Sequence, residues 1–126
     1  MPSEPLGILL MSGTHDRAHY AFVLATGAAA LGRPVVLFAT NAGCRALLAD
    51  PACIADAGRD ALIRARGVAG IAELRAAAGE LGVRMIACEA GLRAEEVAPA
   101  RLLTGVEVAG IATFLEACAG GQIVSL

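Results

Sequence analysis

The sequence predicts an α/β domain on a mainly parallel central sheet of four to five strands, covered by helices on both faces. Three observations predict it. An alanine-rich helical stretch, a glycine and a short apolar run follow one another three times along the chain. That alternation marks βαβ units and a parallel sheet. The apolar runs are also near-continuous, as in strands buried on both faces, and do not alternate as half-buried strands do. Finally, 126 residues fit a single domain, 1–126, long enough to hold a core without metal or disulfide staples.

The elements follow in order. Leu6-Gly7-Ile8-Leu9-Leu10-Met11 supplies a first strand near 6–12, and a helix follows over 16–31. Gly32 after Ala28-Ala29-Ala30-Leu31 suits the left-handed residue that closes a helix. Pro34 then opens a strand near 34–40, where the missing N–H costs little. Helix is expected in parts of 42–66, although Arg59, Asp60, Arg64 and Arg66 make 50–69 read as a solvated helix or an insertion. The pattern returns as a helix over 70–81, Gly82, and a strand near 83–88. A looser third copy gives a helix over 108–119, Gly120-Gly121, and a strand near 122–126.

Composition narrows the function classes. Hydrophobic residues make up 57% of the chain and aromatics only 3%, so small side chains carry much of the apolarity. A mean hydropathy of +0.67 argues against disorder. The net charge of -2 argues against a large nucleic-acid-binding surface. All ten basic residues are arginine, a compositional bias. Apolar stretches are broken before the roughly 18 residues a spanning helix needs, and Met1-Pro2-Ser3-Glu4-Pro5 lacks the positive region of a signal peptide. The expectation is a cytoplasmic protein with no membrane span and with apolar surfaces for self-association.

Open parallel sheets bind ligands beyond the carboxyl ends of their strands. The loops there contain Gly13-Thr14-His15-Asp16, Asn41-Ala42-Gly43-Cys44 and Cys88-Glu89-Ala90-Gly91. Cys88 ends a strand and precedes a turn or helix start, where backbone N–H groups favour a thiolate; Arg93 would add positive charge. A thiolate attacks sulfane sulfur or a disulfide, which suits a persulfide carrier. A small buried core residue is the other reading of the same position. Cys44 ends the second strand's loop beside Arg45, either as packing or as a partner to Cys88 if their Cα atoms come within about 7 Å. Cys53 and Cys118 read as structural.

His15 and His19 share a helix face near Asp16, which leaves a general acid/base or a metal site open. No C-x-x-C spacing supports zinc or thioredoxin-type chemistry. Neither Rossmann glycines nor a Walker lysine is present, so no cofactor is assigned.

Ile8-Leu9-Leu10-Met11-Ser12-Gly13 and Gly32-Arg33-Pro34-Val35-Val36-Leu37-Phe38 resemble the opening of DsrE/DsrF-like sulfur-relay proteins. The stretch from Gly70 to Cys88, and Gly105 to Leu115, look like the peroxiredoxin-like DsrE branch. The resemblance implies a three-layer α/β/α sandwich assembling as a homotrimer or homohexamer. It also implies a small sulfurtransferase-like carrier in which Cys88 accepts sulfur as a persulfide from a donor protein and passes it to an acceptor. His15, Asp16, Asn41, Cys44 and Arg93 would line or assist that pocket. Cys88 is followed by Glu89-Ala90-Gly91-Leu92-Arg93 and not by the Arg-Arg-Gly run of sulfur-carrier members. A rival of another class is a small-ligand-binding or scaffold module on the same fold, with Cys88 as packing.

Overall fold

The computed structural model of the protein describes residues 4–126; Met1, Pro2 and Ser3, part of the stretch read for a leader, lie outside it. The chain runs β1 (Leu6–Leu10), α1 (His15–Ala30), β2 (Val35–Ala39), 3-10 segments at Asn41–Leu47 and Pro51–Cys53, α2 (Arg59–Ala65) and α3 (Ile71–Glu80). It continues through β3 (Arg84–Cys88), α4 (Glu89–Ala94), a 3-10 turn at Pro99–Arg101, β4 (Glu107–Ala109), α5 (Ile111–Ala117) and β5 (Gln122–Ser125). The five strands form one sheet in the order β4-β3-β2-β1-β5, every pair parallel. The α/β class and its helix–sheet–helix layering are as the sequence predicts.

The repeated glycines do what the pattern requires. Gly32, Gly82 and Gly120 have φ of 86°, 81° and 79°, each just past the end of α1, α3 or α5. A left-handed glycine ends the helix without a Cβ clash and turns the chain into the next strand.

The two faces of the sheet are covered unequally. On one, Ile8, Leu10, Leu37, Ala39 and Ala87 pack against Ala18, Ala21, Phe22 and Ala25 of α1 and Ile71 and Ala78 of α3. Alanines let these helices lie close to the strands, so few large side chains are needed to fill the layer. On the other face, Val36, Phe38, Ile86 and Cys88 meet Phe114 and Cys118 from the α5 end of the chain. The Phe38 and Phe114 rings stack with centroids 5.0 Å apart. Each is essentially buried, so truncation of either to alanine costs about 3–5 kcal/mol. Gly7 lacks a side chain because the Cys118 sulfur and the Phe114 ring occupy the space above it.

One boundary is corrected and the uncertain middle stretch is defined. The last helix starts at Ile111, not 108, because Glu107–Ala109 forms the edge strand β4. Val106 and Val108 are β-branched and favour extended backbone. Arg84 of β3 also holds Glu107 with hydrogen bonds of 2.6 and 2.8 Å. Within 42–66, only Arg59–Ala65 is α-helical. Asp50 accepts from the Ala52 amide at 3.0 Å and, with Pro51 behind it, starts the separate turn Pro51–Cys53. Cys118, expected on a helix, caps the end of α5.

Candidate functional site at the carboxyl end of the sheet

The apolar run Met85-Ile86-Ala87 buries β3 and brings Cys88 to the strand's carboxyl end, where it becomes the N-cap of α4. Cys88 is 7% exposed, with its side chain in the apolar cluster on the α5 face. Its Sγ accepts a hydrogen bond from the Gly91 amide at 3.4 Å. α4 lies hard against the turn after β2. A Cβ built on Gly91 would stand 2.5 Å from the Asn41 nitrogen and 2.7 Å from Thr40 Oγ1. Asn41 opens that turn in the left-handed region, with φ of 50°, a conformation asparagine tolerates better than most residues. Gly91 therefore does two things at once, and neither was visible from spacing alone.

Cys44 is fully buried, and its thiol donates to the Ala39 carbonyl at 3.5 Å. Burial pushes this thiol up to about 11, and negative charge on Cys88 pushes it in the same direction. Cys44 therefore stays a protonated thiol at neutral pH. Cys44 lies close enough for the Cys88 charge and backbone to act on its thiol, but the two side chains belong to different apolar clusters. Ala39 and Ala87 face the cluster that contains Cys44, whereas Cys88 faces the opposite one. The structure thus brings Asn41, Cys44 and Cys88 to one edge without pairing the thiols, and all four cysteines are free.

The remaining sequence candidates are engaged elsewhere. His15 is 1% exposed. Arg59 Nη1 donates to its Nδ1 at 3.1 Å; a guanidinium only donates, so the ring proton sits on Nε2. That N–H donates to Asp60 Oδ1 at 2.8 Å. Both nitrogens of His15 are therefore committed to α2, which leaves none to serve the Cys88 thiol. His19 stacks on His15 with centroids 5.6 Å apart and donates to the Ala69 carbonyl at 2.9 Å. Asp16 is exposed and accepts from the Thr14 hydroxyl at 2.7 Å and the Arg17 amide at 2.8 Å. Those two donors hold its carboxyl below the usual carboxylate value. Arg93 pairs with Glu89 at 2.7 Å on the outer surface of α4, so the two charges there offset each other.

Cys53 joins the strand-end loops in a way the sequence reading missed. It is half-buried and accepts from Arg101 Nη2 at 3.0 Å. With Thr14, Ala42, Arg45 and Glu95 it lines a cavity of about 370 Å³, across which Arg45 and Glu95 form an ion pair at 3.1 Å. Only the proximity of Cys53 to Pro51 hinted at a rigid placement. Among the described residues, no three His, Cys, Asp or Glu side chains converge as metal ligands would. No described helix is long and apolar enough to cross a membrane.

The profile of the DsrE/DsrF-like family matches residues 5–124. The chain belongs to that family. As a DsrE/DsrF-like protein it is 32% identical to the sulfur carrier protein DsrE2 of Allochromatium vinosum, over 92% of this chain and 93% of that one. Two solved structures share the fold. The ychN protein from E. coli superposes with a TM-score of 0.72 at 10% identity, covering 98% of this chain and 99% of its own. A protein of unknown function from Methanobacterium thermoautotrophicum, MTH1491, gives 0.63 at 20% identity, covering 98% and 100%. Membership of the DsrE/DsrF-like family and a sulfur-carrier relative together support a sulfur-relay role.

Proposed function

We propose that this DsrE/DsrF-like chain carries sulfane sulfur as a persulfide on Cys88. The observation that carries the reading is the Cys88 sulfur at the end of β3, with the Gly91 N–H directed at it. A donor protein persulfide, R–S–SH, meets the Cys88 thiolate at its outer sulfur. The new Cys88–sulfur bond forms as the donor S–S bond breaks, and R–S⁻ leaves to take up the proton that Cys88 gave. An acceptor thiolate then repeats the attack on the outer sulfur and restores Cys88. The sulfur atom moves with no net oxidation, so no cofactor is needed. Four unpaired cysteines fit a reducing, cytoplasmic setting.

Intact mass after incubation with inorganic polysulfide tests the proposal. The protein should gain about 32 Da per sulfur atom, reversibly with reductant. Cys88→Ser should lose the adduct and Cys44→Ser should keep it. Absence of an adduct on the native protein removes the proposal.

The 7% exposure of Cys88 favours a second reading, a non-covalent ligand-binding or scaffold module in which the cysteine is packing. Under it, Cys88→Ser changes neither assembly nor ligand binding.

A further inference from the structure

We propose that the cleft between α3, β3 and the 103–106 loop binds a small organic monoanion with an apolar tail, held by the charge of Arg75. This site lies apart from the Cys88 edge and does not depend on sulfur chemistry.

Arg75 lies on the inner face of α3 and is only 5% exposed. Its Nη1 donates to the carbonyls of Ala46 and Leu48, and Nη2 donates to that of Ala49 at 3.5 Å. These acceptors are neutral. A guanidinium has five N–H donors, and the buried Nε–H finds no acceptor. Among the described residues, no carboxylate forms an ion pair with it. Burial alone pushes its pKa down, with no neighbouring anion raising it back. A buried charge without a counter-charge is costly, and an anion delivered from solution removes the cost.

Arg75 lines a cleft of about 510 Å³, within the size range of small-ligand pockets. Val83, Met85, Leu103 and Val106 give it apolar walls that suit an alkyl or aryl tail. Glu80 is exposed on the same cleft and carries the opposite sign to Arg75. It disfavours polyanions, which leaves a monocarboxylate or a similar singly charged head group. Gly79 lines the cleft from α3, and a Cβ there meets nothing within 4 Å. A larger side chain at this position therefore adds bulk at the cleft wall without a clash in the helix.

Thermal melting with hexanoate, hexan-1-ol and acetate at equal concentrations tests the site. Hexanoate at about ten times its dissociation constant should raise the native Tm by about 3 °C or more. Hexan-1-ol and acetate should not, and Gly79→Leu should abolish the hexanoate shift. Arg75→Gln should abolish it too; if that variant fails to fold, Gly79→Leu and the alcohol still decide. No shift with hexanoate overturns the proposal. So does an equal shift with hexan-1-ol, which would mean apolar binding alone, or an equal shift with acetate, an effect of bulk anion. A hexanoate shift that survives Gly79→Leu overturns it as well, by putting the ligand elsewhere.

Discussion

The Gly91 amide donates to the Cys88 sulfur across 3.4 Å, and the same residue has no room for a side chain against Thr40 and Asn41. Donor and close approach come from one position, so a side chain that forces this residue away also draws its N–H off the sulfur. Gly91→Ala should push α4 away from the turn after β2 and slow alkylation of Cys88 by iodoacetamide about tenfold, the weakening of one hydrogen bond to the sulfur. Gly27→Ala is the control: α1 is helical there and a Cβ meets nothing. It should leave the alkylation rate unchanged and stabilise the protein by about 0.5–1 kcal/mol. An unchanged rate in Gly91→Ala would show that the amide does not govern the thiol.

Cys44 makes a prediction in alkaline solution. Its thiol titrates near 9.0 when unfolded and at about 11 in the fold, chiefly through burial. The unfolded chain gives up this proton first, so the contribution to stability is full below pH 9 and lost as pH rises towards 11. The loss amounts to about 2–3 kcal/mol. Urea midpoints at pH 8 to 11 should fall less steeply in Cys44→Ala than in the native protein. Parallel pH profiles would refute the assignment. Cys44 and Cys88 pack in different apolar clusters, so mild oxidation followed by non-reducing peptide mapping should find no Cys44–Cys88 link.

How much of this was readable in the residues depended on how local the cause was. Gly32, Gly82 and Gly120 announce three helix ends because the left-handed turn is a property of one residue and its neighbours. Cys88 is found at a strand end because the apolar run before it is continuous. β4 is only three residues long, and its strand character rests on Arg84, 23 positions earlier. A window along the chain cannot show that partner. His15 illustrates the same limit at the site. Loop position suggested a role beside the thiol, but Asp60, 45 residues on, claims its Nε2. The crowding around Gly91 and the unpaired charge of Arg75 are likewise consequences of packing, invisible until the layers are assembled.

Asp60 joins α1, α2 and α3, and it should set the acid limit of the fold. Burial would raise its pKa, but the hydrogen bonds from His15 and from the Ile71 amide outweigh burial and hold it below the ordinary 3.8. A depressed carboxyl contributes stability that is present above its unfolded value and lost as pH falls through its folded one. Asp60→Asn should therefore be less stable at pH 7 by about 1–3 kcal/mol. It should also lose less further stability than the native protein between pH 5 and pH 2. Denaturant midpoints across that range check both parts, and an identical acid profile in the variant would contradict the second.

The unequal layers of the sandwich point to self-association through the thin side. α5 has seven residues and, among the described residues, is the one helix whose side chain enters the apolar cluster on the second face, through Phe114. It buries Phe114 inward and leaves Ile111 and Leu115, one turn apart, 51% and 52% exposed. Val108 on the adjacent edge strand is 43% exposed. Apolar side chains grouped in this way on one side of a small domain usually mark an interface, and a closed symmetric oligomer is the usual result. Light scattering at micromolar concentration should give a mass that is a multiple of the 12.7 kDa chain. Ile111→Glu with Leu115→Glu should reduce it to one chain while leaving the far-UV spectrum intact, because both side chains point away from the core that Phe114 fills. A native protein that scatters as a single chain would mean that this face is left to water or to a different partner.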